Sequence, residues 1–229
     1  MTDARTGALA GLKVVVSAGP TFEDIDPVRF IGNRSSGKMG FAVAAAAAER
    51  GADVLLGAGP VALPSPPGVQ RIDVRSAAQM HAAVLAALPC DIYIGAAAVA
   101  DYTPREVASG KLKKQPGHTT LTLELVRTPD ILADVAAHAS RPCLVVGFAA
   151  ETDRVVHYAR GKLAAKRVDL IAANRVGVPG SGFESDDNAL TVYWDGGERA
   201  LGPSPKSELA GQLLDMVGDR LAGSAPGHG

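Results

Sequence analysis

The chain has 229 residues, a mass of 23.4 kDa and a formal net charge of -1. Its 47% hydrophobic and 21% charged residues are typical of a globular protein with one domain of α/β size. The near-neutral charge excludes a global field that would attract nucleic acid or an anionic membrane, and no apolar run is long enough to span a bilayer. The first residues have no secretory pattern, and two cysteines without metal-binding spacing favour a reducing compartment. We therefore predict a cytoplasmic protein.

The predicted elements alternate between strands and helices along most of the chain. Short apolar runs that end in glycine or polar residues are typical of buried strands, and they occur at KVVVSAG, ADVLLG, VQRIDV, DIYIGAAA, CLVVGFAAE and DLIAAN. Runs of helix-forming residues between them predict helices over 37–50, 76–88 and 152–166. The second of these helices begins at a capping box formed by Ser76 and Gln79.

The remaining elements complete the predicted fold. A polar-alternating strand is expected over 119–126, and a further helix opens at Thr128. The C-terminal part departs from the alternation, because ALTVYW, a turn at Gly196 and Gly197, and RALG predict an antiparallel hairpin, followed by a helix over 204–221. Alternating strands and helices imply a parallel sheet covered on both faces. We predict a doubly wound, Rossmann-like α/β domain with a C-terminal antiparallel hairpin and helix, and with ligands at the carboxyl ends of its strands.

The stretch GNRSSGKM has the glycine and lysine spacing of an NTPase phosphate loop. Met39, however, stands where such a loop has its magnesium-binding hydroxyl, and the preceding strand ends far upstream, near Ser17. We therefore reject the NTPase interpretation. The stretch 35–37 still lies at an expected helix start, where free N–H groups and the helix dipole attract phosphate. A serine-capped helix without a ligand is the alternative.

A second competing motif is YARGK, which matches the tyrosine–lysine pair of short-chain dehydrogenases at Tyr158 and Lys162. That family also needs a glycine-rich turn directly after its first strand, and SAGPTFED offers only one glycine there. An NAD(P) oxidoreductase of this type remains an alternative, as does a nucleotide-binding module without catalysis.

Several further features favour a triphosphate nucleotide over a dinucleotide. GKLKKQPGH places three lysines in a loop that could fold over a polyphosphate as a lid, although a solvated charge run is the alternative. Lys162 and Lys166 are four residues apart on one helix face, where an anion would relieve their repulsion. Asp101 follows an apolar strand, where its carboxylate could bind a ribose hydroxyl or a metal. TPDIL provides a second helix start.

Taken together, these stretches resemble the phosphopantothenate–cysteine ligase domain of bacterial coenzyme A biosynthesis. The resemblance runs in order from about Leu12 to Leu221 and is carried by SAGPT, DPVRFIGNRSSGKMG, AAAVADY, KLKKQ, TPDIL, VGFAAET, ARGKLAAKRVDLIAAN and GFESDDNAL. It implies a ligase domain over 12–222, with a linker remnant over 1–11 and a disordered tail over 223–229. In bacteria this domain usually follows a flavin-dependent decarboxylase domain, which is then an expected partner in the full-length protein.

The resemblance also implies a reaction. The carboxylate of 4′-phosphopantothenate attacks the α-phosphate of CTP to give an acyl-cytidylate and pyrophosphate, and the amine of L-cysteine then displaces CMP. Mg²⁺ would offset the triphosphate charge. Asn33 would stabilise the oxyanion of the second step through its amide; a turn asparagine is the alternative. The residues alone do not distinguish CTP from ATP, and no histidine falls in a matched motif that would supply a general base.

Carried over motif by motif, the resemblance assigns binding roles as well. Arg29 would reach phosphopantothenate across the interface of a homodimer, and Asn33, Ala97 and Ala98 would line the same substrate. Lys111 would contact the triphosphate, with 113–118 as a flap. The full set of predicted nucleotide-site residues is Ser35, Ser36, Gly37, Ala96, Ala97, Ala98, Asp101, Lys111, Pro129, Asp130, Ile131, Leu132, Phe148, Lys162 and Lys166.

Overall fold

A computed structural model describes residues 7–114, 116–117, 119–151, 154–175 and 187–224. Its helices are α1 (Lys38–Glu49), α2 (Ala77–Ala86), α3 (Ile131–Ala136), α4 (Val155–Lys166) and α5 (Lys206–Ser224). Its strands are β1 (Lys13–Ala18), β2 (Phe22–Asp24), β3 (Phe30–Gly32), β4 (Asp53–Ala58), β5 (Val69–Asp73), β6 (Ile92–Gly95), β7 (Tyr102–Pro104), β8 (Leu125–Arg127), β9 (Leu144–Glu151), β10 (Leu170–Arg175), β11 (Asp187–Trp194) and β12 (Gly197–Pro205).

Eight strands form one sheet in the order β12-β11-β10-β9-β6-β1-β4-β5. The six strands from β10 to β5 are parallel to one another, whereas β11 and β12 form an antiparallel hairpin on the β10 edge. The chain starts at β1, winds outward through β4 and β5, and returns to the other side of β1 at β6. This reversal is the topological switch point of a doubly wound sheet. The predicted fold class, including the C-terminal hairpin and helix, is confirmed.

The sheet is buried on both faces because successive side chains of a strand point to opposite sides. In β1, Val14 and Val16 lie in the apolar cluster that includes α1 and α5, while Val15 lies in a second cluster with α2, α3 and α4. All three valines are at most 1% exposed. A continuous apolar strand such as KVVVSA is therefore what a central parallel strand requires.

Two small sheets were missed by the sequence analysis. The expected loop between β1 and α1 contains the hairpin of β2 and β3. The strand predicted over 119–126 is wrong for most of its length, since only Leu125–Arg127 is a strand, and its partner is the unpredicted β7. Strands of three residues carry too little alternation to be recognised, because their pairing is decided by the neighbouring segment.

The helix ends show where local signals decide the structure. The capping box of Ser76 and Gln79 is present at the start of α2. The helix predicted to open at Thr128 instead begins at Ile131, with Asp130 as its N-cap, because the Asp130 carboxylate accepts the backbone N–H of Ala133. The Thr128 hydroxyl donates to the carbonyl of Ala100 instead.

The chain ends of the described part refine the predicted boundaries. Leu9, assigned to the linker by the sequence, is fully buried in the cluster of α1 and α5. Helix α5 continues to Ser224, into the predicted tail, and 225–229 lie outside the described residues. So does most of GFESDD. Within the described ranges, no helix is long and apolar enough to cross a membrane. Cys90 and Cys143 are free thiols.

Candidate active site

A cavity of about 620 Å³, called cavity 1 below, opens at the carboxyl ends of the parallel strands. It lies at the switch point between β1 and β6, where a doubly wound sheet offers a crevice for ligands. Its wall combines the start of α1, the chain after β6, the end of β9 and the hairpin of β11 and β12. The lining residues are 33–40, 96–99, Asp101, 148–150, Lys162, Asn174, Asn188, Leu190 and Lys206.

Glycines bring the start of α1 close to the sheet. Gly37 is the N-cap residue with φ of 75°, and α1 has no side-chain cap and no acidic residue in its first turn. A Cβ on Gly40 would lie 2.4 Å from the Cβ of Ala18, so only glycine allows this approach of helix and strand. The exposed N–H groups of a helix start attract anions. The N-cap residue of α1 is thus a glycine, and the Ser35 hydroxyl accepts the N–H of Gly37 at 3.3 Å.

The chain after β6 forms a ridge along the floor of cavity 1. The N–H groups of Ala96 and Ala98 donate to the carbonyls of Ser17 and Gly19 at 2.9 and 2.8 Å, which continues the pairing of β6 with β1. The Asn33 amide nitrogen donates to the carbonyl of Val99 at 2.9 Å. Since an amide has two N–H donors, this bond orients the side chain and leaves it a second hydrogen to donate.

A second cavity of about 520 Å³, cavity 2, adjoins the first. It is lined by the segments around the ends of β1 and β6, by the start of α3 and by α4. These lining residues are Ser17, Tyr93, Gly95, Ala97, 99–102, 127–132, Phe148, Lys162 and Lys166. Thr128 fixes two of these walls to each other, because its N–H donates to the carbonyl of Asp101 at 3.0 Å and its hydroxyl to that of Ala100 at 2.6 Å.

The floor of cavity 2 contains a buried hydroxyl pair. Ser17 Oγ and the Tyr93 hydroxyl are 3.0 Å apart, and each residue is 1% exposed. Burial raises the pKa of the Tyr93 hydroxyl well above its ordinary value, so the group stays neutral at physiological pH. This pair can donate or accept hydrogen bonds without adding charge to the site.

The charged groups of cavity 2 are partly paired already. Lys166 Nζ lies 2.9 Å from Asp130 Oδ1, and the same oxygen accepts the N–H of Ala133. The anion beside Lys166 in this structure is therefore Asp130, and the start of α3 is capped by a carboxylate. The helix start predicted at TPDIL is thus present, and one of its N–H groups is bonded to the Asp130 carboxylate.

Both cavities share one wall. Ala97, Val99, Asp101, Phe148 and Lys162 line each of them. A ligand in cavity 1 and a ligand in cavity 2 would contact each other at this shared wall. The two adjoining cavities can therefore hold two molecules with their reactive groups side by side, and each cavity has cationic side chains in its lining.

Comparison with known proteins decides the family. A family model described as the DNA/pantothenate metabolism flavoprotein C-terminal domain matches residues 9–221. The chain belongs to this family. The chain is 51% identical over 214 residues to the coenzyme A biosynthesis bifunctional protein CoaBC of Vibrio cholerae, and the match covers 93% of this chain and 54% of that protein. The chain thus spans about half the length of the curated relatives it matches.

Solved structures agree with this family assignment. The crystal structure of the C-terminal domain of CoaBC is 38% identical, with a TM-score of 0.80, and the match covers 96% of this chain and all of that one. A mutant of Cab2 in complex with phosphopantothenate-cysteine has the same fold, with a TM-score of 0.73, 17% identity, and 94% and 89% of the two chains covered. The resemblance predicted from the motifs is confirmed at the level of the family.

The fold brings most of the predicted site residues together. Cavity 1 receives Asn33, Ser35, Ser36, Gly37 and the alanines Ala96, Ala97 and Ala98. Cavity 2 receives Pro129, Asp130, Ile131, Leu132 and Lys166. Asp101, Phe148 and Lys162 line both. The individual roles of these residues stay predictions. Tyr158 of the dehydrogenase-like pair is 45% exposed and lines neither cavity, which leaves that alternative without a site.

Arg29 and Lys111 line neither cavity. Arg29 and Leu112, the residue after Lys111, belong to an anchor around the buried carboxylate of Asp26, which accepts the N–H groups of Val28, Arg29 and Leu112 at 2.8, 2.9 and 3.0 Å. The Arg29 guanidinium contacts Asp26 at 2.8 Å and donates to the Leu112 carbonyl. Burial raises the pKa of the Asp26 carboxyl, but these backbone bonds and Arg29 outweigh it, so the pKa lies below its ordinary value.

The Asp26 anchor ties the lysine loop to the turn between β2 and β3. Lys111 is exposed at the start of this loop, and part of the predicted flap, Gln115 and His118, lies outside the described residues. Sequence reasoning missed Asp26 as an anchor, because its role depends on a contact with a segment 86 residues away.

Sequence reasoning also missed other residues that line cavity 1. Two are polar side chains of the C-terminal part of the chain, Asn188 and Lys206, and one is Asn174 at the end of β10. Lys38 was noted only as part of a failed phosphate-loop match. Asn188 lies in the motif GFESDDNAL, which carried the family resemblance but was given no role for this residue, whereas no local pattern marks Lys206.

Proposed function

We propose that this domain ligates 4′-phosphopantothenate to L-cysteine with CTP, through an acyl-cytidylate. The observation that carries the proposal is the shared wall of two adjoining cavities at the switch point, where the residues assigned to the nucleotide and to the acid converge. Membership of the family and the CoaBC relatives support coenzyme A biosynthesis as the setting. The Cab2 structure with phosphopantothenate-cysteine supports the choice of acid and amine.

CTP occupies cavity 2 in this proposal. This cavity contains every predicted nucleotide residue that follows β8, from Pro129 to Lys166. Lys162 faces both cavities and is placed to contact phosphate oxygens near the meeting point, while Asp101 is placed to bind the ribose. The neutral pair of Ser17 and Tyr93 on the floor offers hydrogen bonds to an uncharged base. The acid then occupies cavity 1, with its carboxylate over Ala97.

The first step is attack of the acid's carboxylate on the α-phosphorus of CTP. The bond from the α-phosphorus to the bridging oxygen breaks, and pyrophosphate leaves. Carboxylate oxygen is a poor leaving group, and its conversion into a mixed anhydride with CMP makes the later attack by an amine feasible. The domain contributes by positioning and by the cationic side chain of Lys162, which offsets charge on the phosphates.

The second step is attack of the cysteine amine on the acyl carbon. The carbonyl oxygen becomes an oxyanion, CMP leaves, and the ammonium proton is lost to complete the amide. Asn33 donates one amide hydrogen to the Val99 carbonyl, and its second hydrogen stabilises the oxyanion. Because a backbone carbonyl holds the donor in place, no reorganisation is needed when the negative charge develops.

Mg²⁺ is the metal that we propose for the triphosphate. Among the described residues, no group of three or more histidine, cysteine or acidic side chains could hold a metal by itself. Mg²⁺ normally keeps several waters and binds substrate phosphates together with few protein groups, so the triphosphate itself would supply most of its ligands. The metal would supply neutralisation of the triphosphate charge.

The protein partners are also proposals. Since Arg29 lines neither cavity of its own subunit, we propose that it reaches phosphopantothenate in the second subunit of a homodimer, whereas Lys111 contacts the triphosphate from the lysine loop. The full-length protein would carry a decarboxylase domain as well, as the bifunctional relatives, of which the match covers about half, suggest.

Pyrophosphate release tests the proposal. With phosphopantothenate and cysteine present, CTP should support release much better than ATP, and omission of the acid should abolish it. Equal rates with CTP and ATP would overturn the CTP assignment. CTP binding without any release would indicate a nucleotide-binding module, and oxidation of NADH with a carbonyl substrate would revive the dehydrogenase.

A further inference from the structure

Thr21 lies where the chain leaves the central sheet between β1 and β2. It is fully buried and lines neither cavity. Its N–H donates to the carbonyl of Ala98 at 3.3 Å, and its hydroxyl accepts the N–H of Ala100 at 2.9 Å. Thr21 therefore holds the ridge after β6 by two hydrogen bonds, although the roles drawn from the family motifs do not include it.

The Thr21 hydroxyl replaces a backbone acceptor of the parallel ladder. Beyond the ends of β1 and β6, Ala98 continues the pairing, because its N–H donates to the Gly19 carbonyl and its carbonyl accepts the N–H of Thr21. In a parallel ladder the next N–H, that of Ala100, would donate to the carbonyl of Thr21. That carbonyl lies against β3, where a Cβ on Gly32 would be 2.9 Å from its oxygen. The hydroxyl of the same residue accepts the N–H of Ala100 instead.

Thr21 and Asn33 bind opposite ends of one peptide group. The carbonyl of Val99 accepts the Asn33 amide at 2.9 Å, and the N–H of the same peptide group, that of Ala100, donates to the Thr21 hydroxyl. This peptide bond is trans, so the group is planar and its carbonyl and N–H point in opposite directions. A bond that fixes the N–H therefore also fixes the direction of the carbonyl, and with it the side chain of Asn33.

The same segment is too buried for solvent to take the place of Thr21. Ala100 is only 3% exposed, and its carbonyl already accepts the Thr128 hydroxyl at 2.6 Å. A buried N–H that loses its acceptor costs the full desolvation of that group. Without the Thr21 hydroxyl, the peptide group would therefore rotate towards another acceptor, and the carbonyl of Val99 would move in the shared wall of the two cavities.

We propose that Thr21 is a positioning residue for the second step of the ligation. Its hydroxyl fixes the peptide group between Val99 and Ala100, the carbonyl of that group orients the Asn33 amide, and the remaining amide hydrogen stabilises the oxyanion. This inference rests on the proposed function, because it takes Asn33 as the oxyanion donor. Thr21 itself touches no substrate, and the first step does not depend on it.

The test is a single-turnover measurement of both steps in Thr21→Val, which removes the hydroxyl and keeps the shape of the side chain. Formation of acyl-cytidylate and the affinity for CTP should stay close to wild type. Attack by cysteine should slow by about 10- to 100-fold, since a displacement of about 1 Å can cost about 10²-fold in rate, and the intermediate should accumulate. Thr21→Ser keeps the hydroxyl and should restore most of the second-step rate.

Three further measurements separate positioning from a general loss of stability. Thr191→Val is the matched control, because Thr191 is a partly buried threonine on β11 outside both cavities, and it should slow neither step. In the Asn33→Asp background, Thr21→Val should change the second-step rate by less than about twofold, because residues that act through one contact are not additive. Exchange of the Ala100 amide hydrogen, followed by NMR, should be faster in Thr21→Val than in wild type or Thr21→Ser.

The melting temperature shows whether each variant is folded, and Thr21→Ala takes the place of Thr21→Val if the latter does not fold. Equal slowing of both steps, an unchanged second step, or wild-type exchange of the Ala100 amide would each overturn the positioning role. So would a loss in Thr21→Ser as large as in Thr21→Val, since the methyl group would then act through packing. If wild type itself releases no pyrophosphate from CTP, the proposed ligase activity fails, whereas an active wild type whose second step does not respond to Thr21→Val overturns the positioning role alone.

Discussion

Replacing Asn33 by Asp should separate the two half-reactions of the proposed ligase. The carboxylate is close in size to the amide but has no N–H donor, and it repels an oxyanion that develops beside it. Attack of phosphopantothenate on CTP does not need this donor, so acyl-cytidylate should still form. Attack of cysteine on the acyl carbon does need it, and the intermediate should accumulate.

The structure allows the two effects of this substitution to be estimated separately. The hydrogen bond from Asn33 to the Val99 carbonyl is exposed, so its loss should lower the free energy of unfolding by only about 0.5–1.5 kcal/mol. For a domain of this size that is a fall in melting temperature of roughly 1–6 °C. Loss of an oxyanion donor costs about 10²–10³ in rate. The second step should therefore slow far more than the modest loss of stability would explain.

Rapid quench with mass spectrometry measures both steps in a single turnover. Asn174→Asp is the matched control, because Asn174 lines the same cavity and the change introduces the same charge, yet it should not cause the acyl-cytidylate to accumulate. If Asn33→Asp makes product at the normal rate, Asn33 is a turn residue only. If it fails to release pyrophosphate, its role lies in binding or in the first step.

Three further predictions concern the loop, the helix packing and the pH response. Lys111→Gln should lower CTP use at least tenfold, because a charge-assisted phosphate contact contributes roughly 1.5–3 kcal/mol; unchanged steady-state kinetics with CTP would make the loop a solvated charge run. Gly40→Ala should lower the free energy of unfolding, measured in urea, by about 1–3 kcal/mol, since the new Cβ would lie 2.4 Å from that of Ala18. The control Gly161→Ala in α4 meets no atom within 4 Å and should raise the free energy of unfolding by about 0.5–1 kcal/mol. Equal effects of the two substitutions would contradict the close contact at Gly40. Because the pKa of Asp26 is lowered in the folded state, its contribution to the free energy of unfolding is present above the ordinary carboxyl pKa of 3.8 and is lost as the pH falls through the lower folded-state value. Unfolding curves measured over the acidic range should therefore show this loss in wild type but not in Asp26→Asn. Parallel pH dependences of the two proteins would refute the prediction.

Local pattern was sufficient for the large elements. The alternation of apolar strands with Ala-rich or capped helices predicted the six parallel strands, the C-terminal hairpin and the doubly wound sheet, since each of these elements buries its side chains in a way that its own sequence displays. The switch point then follows from topology alone. The motifs also predicted a site that contains Asn33 and the segment 129–132, and these residues line the two cavities at the carboxyl ends of the strands.

Tertiary contacts decided what the local sequence could not. The three-residue strands β2, β3, β7 and β8 exist only through their partners. The carboxylate of Asp26 is an anchor because a distant loop donates to it, and Lys206 belongs to the site because the sheet order places β11 and β12 beside β10. The sequence determines the type of each residue, but the strand order determines which residues become its neighbours across the sheet. The burial of a side chain and its electrostatic interactions depend on those neighbours, so they are decided by the tertiary structure.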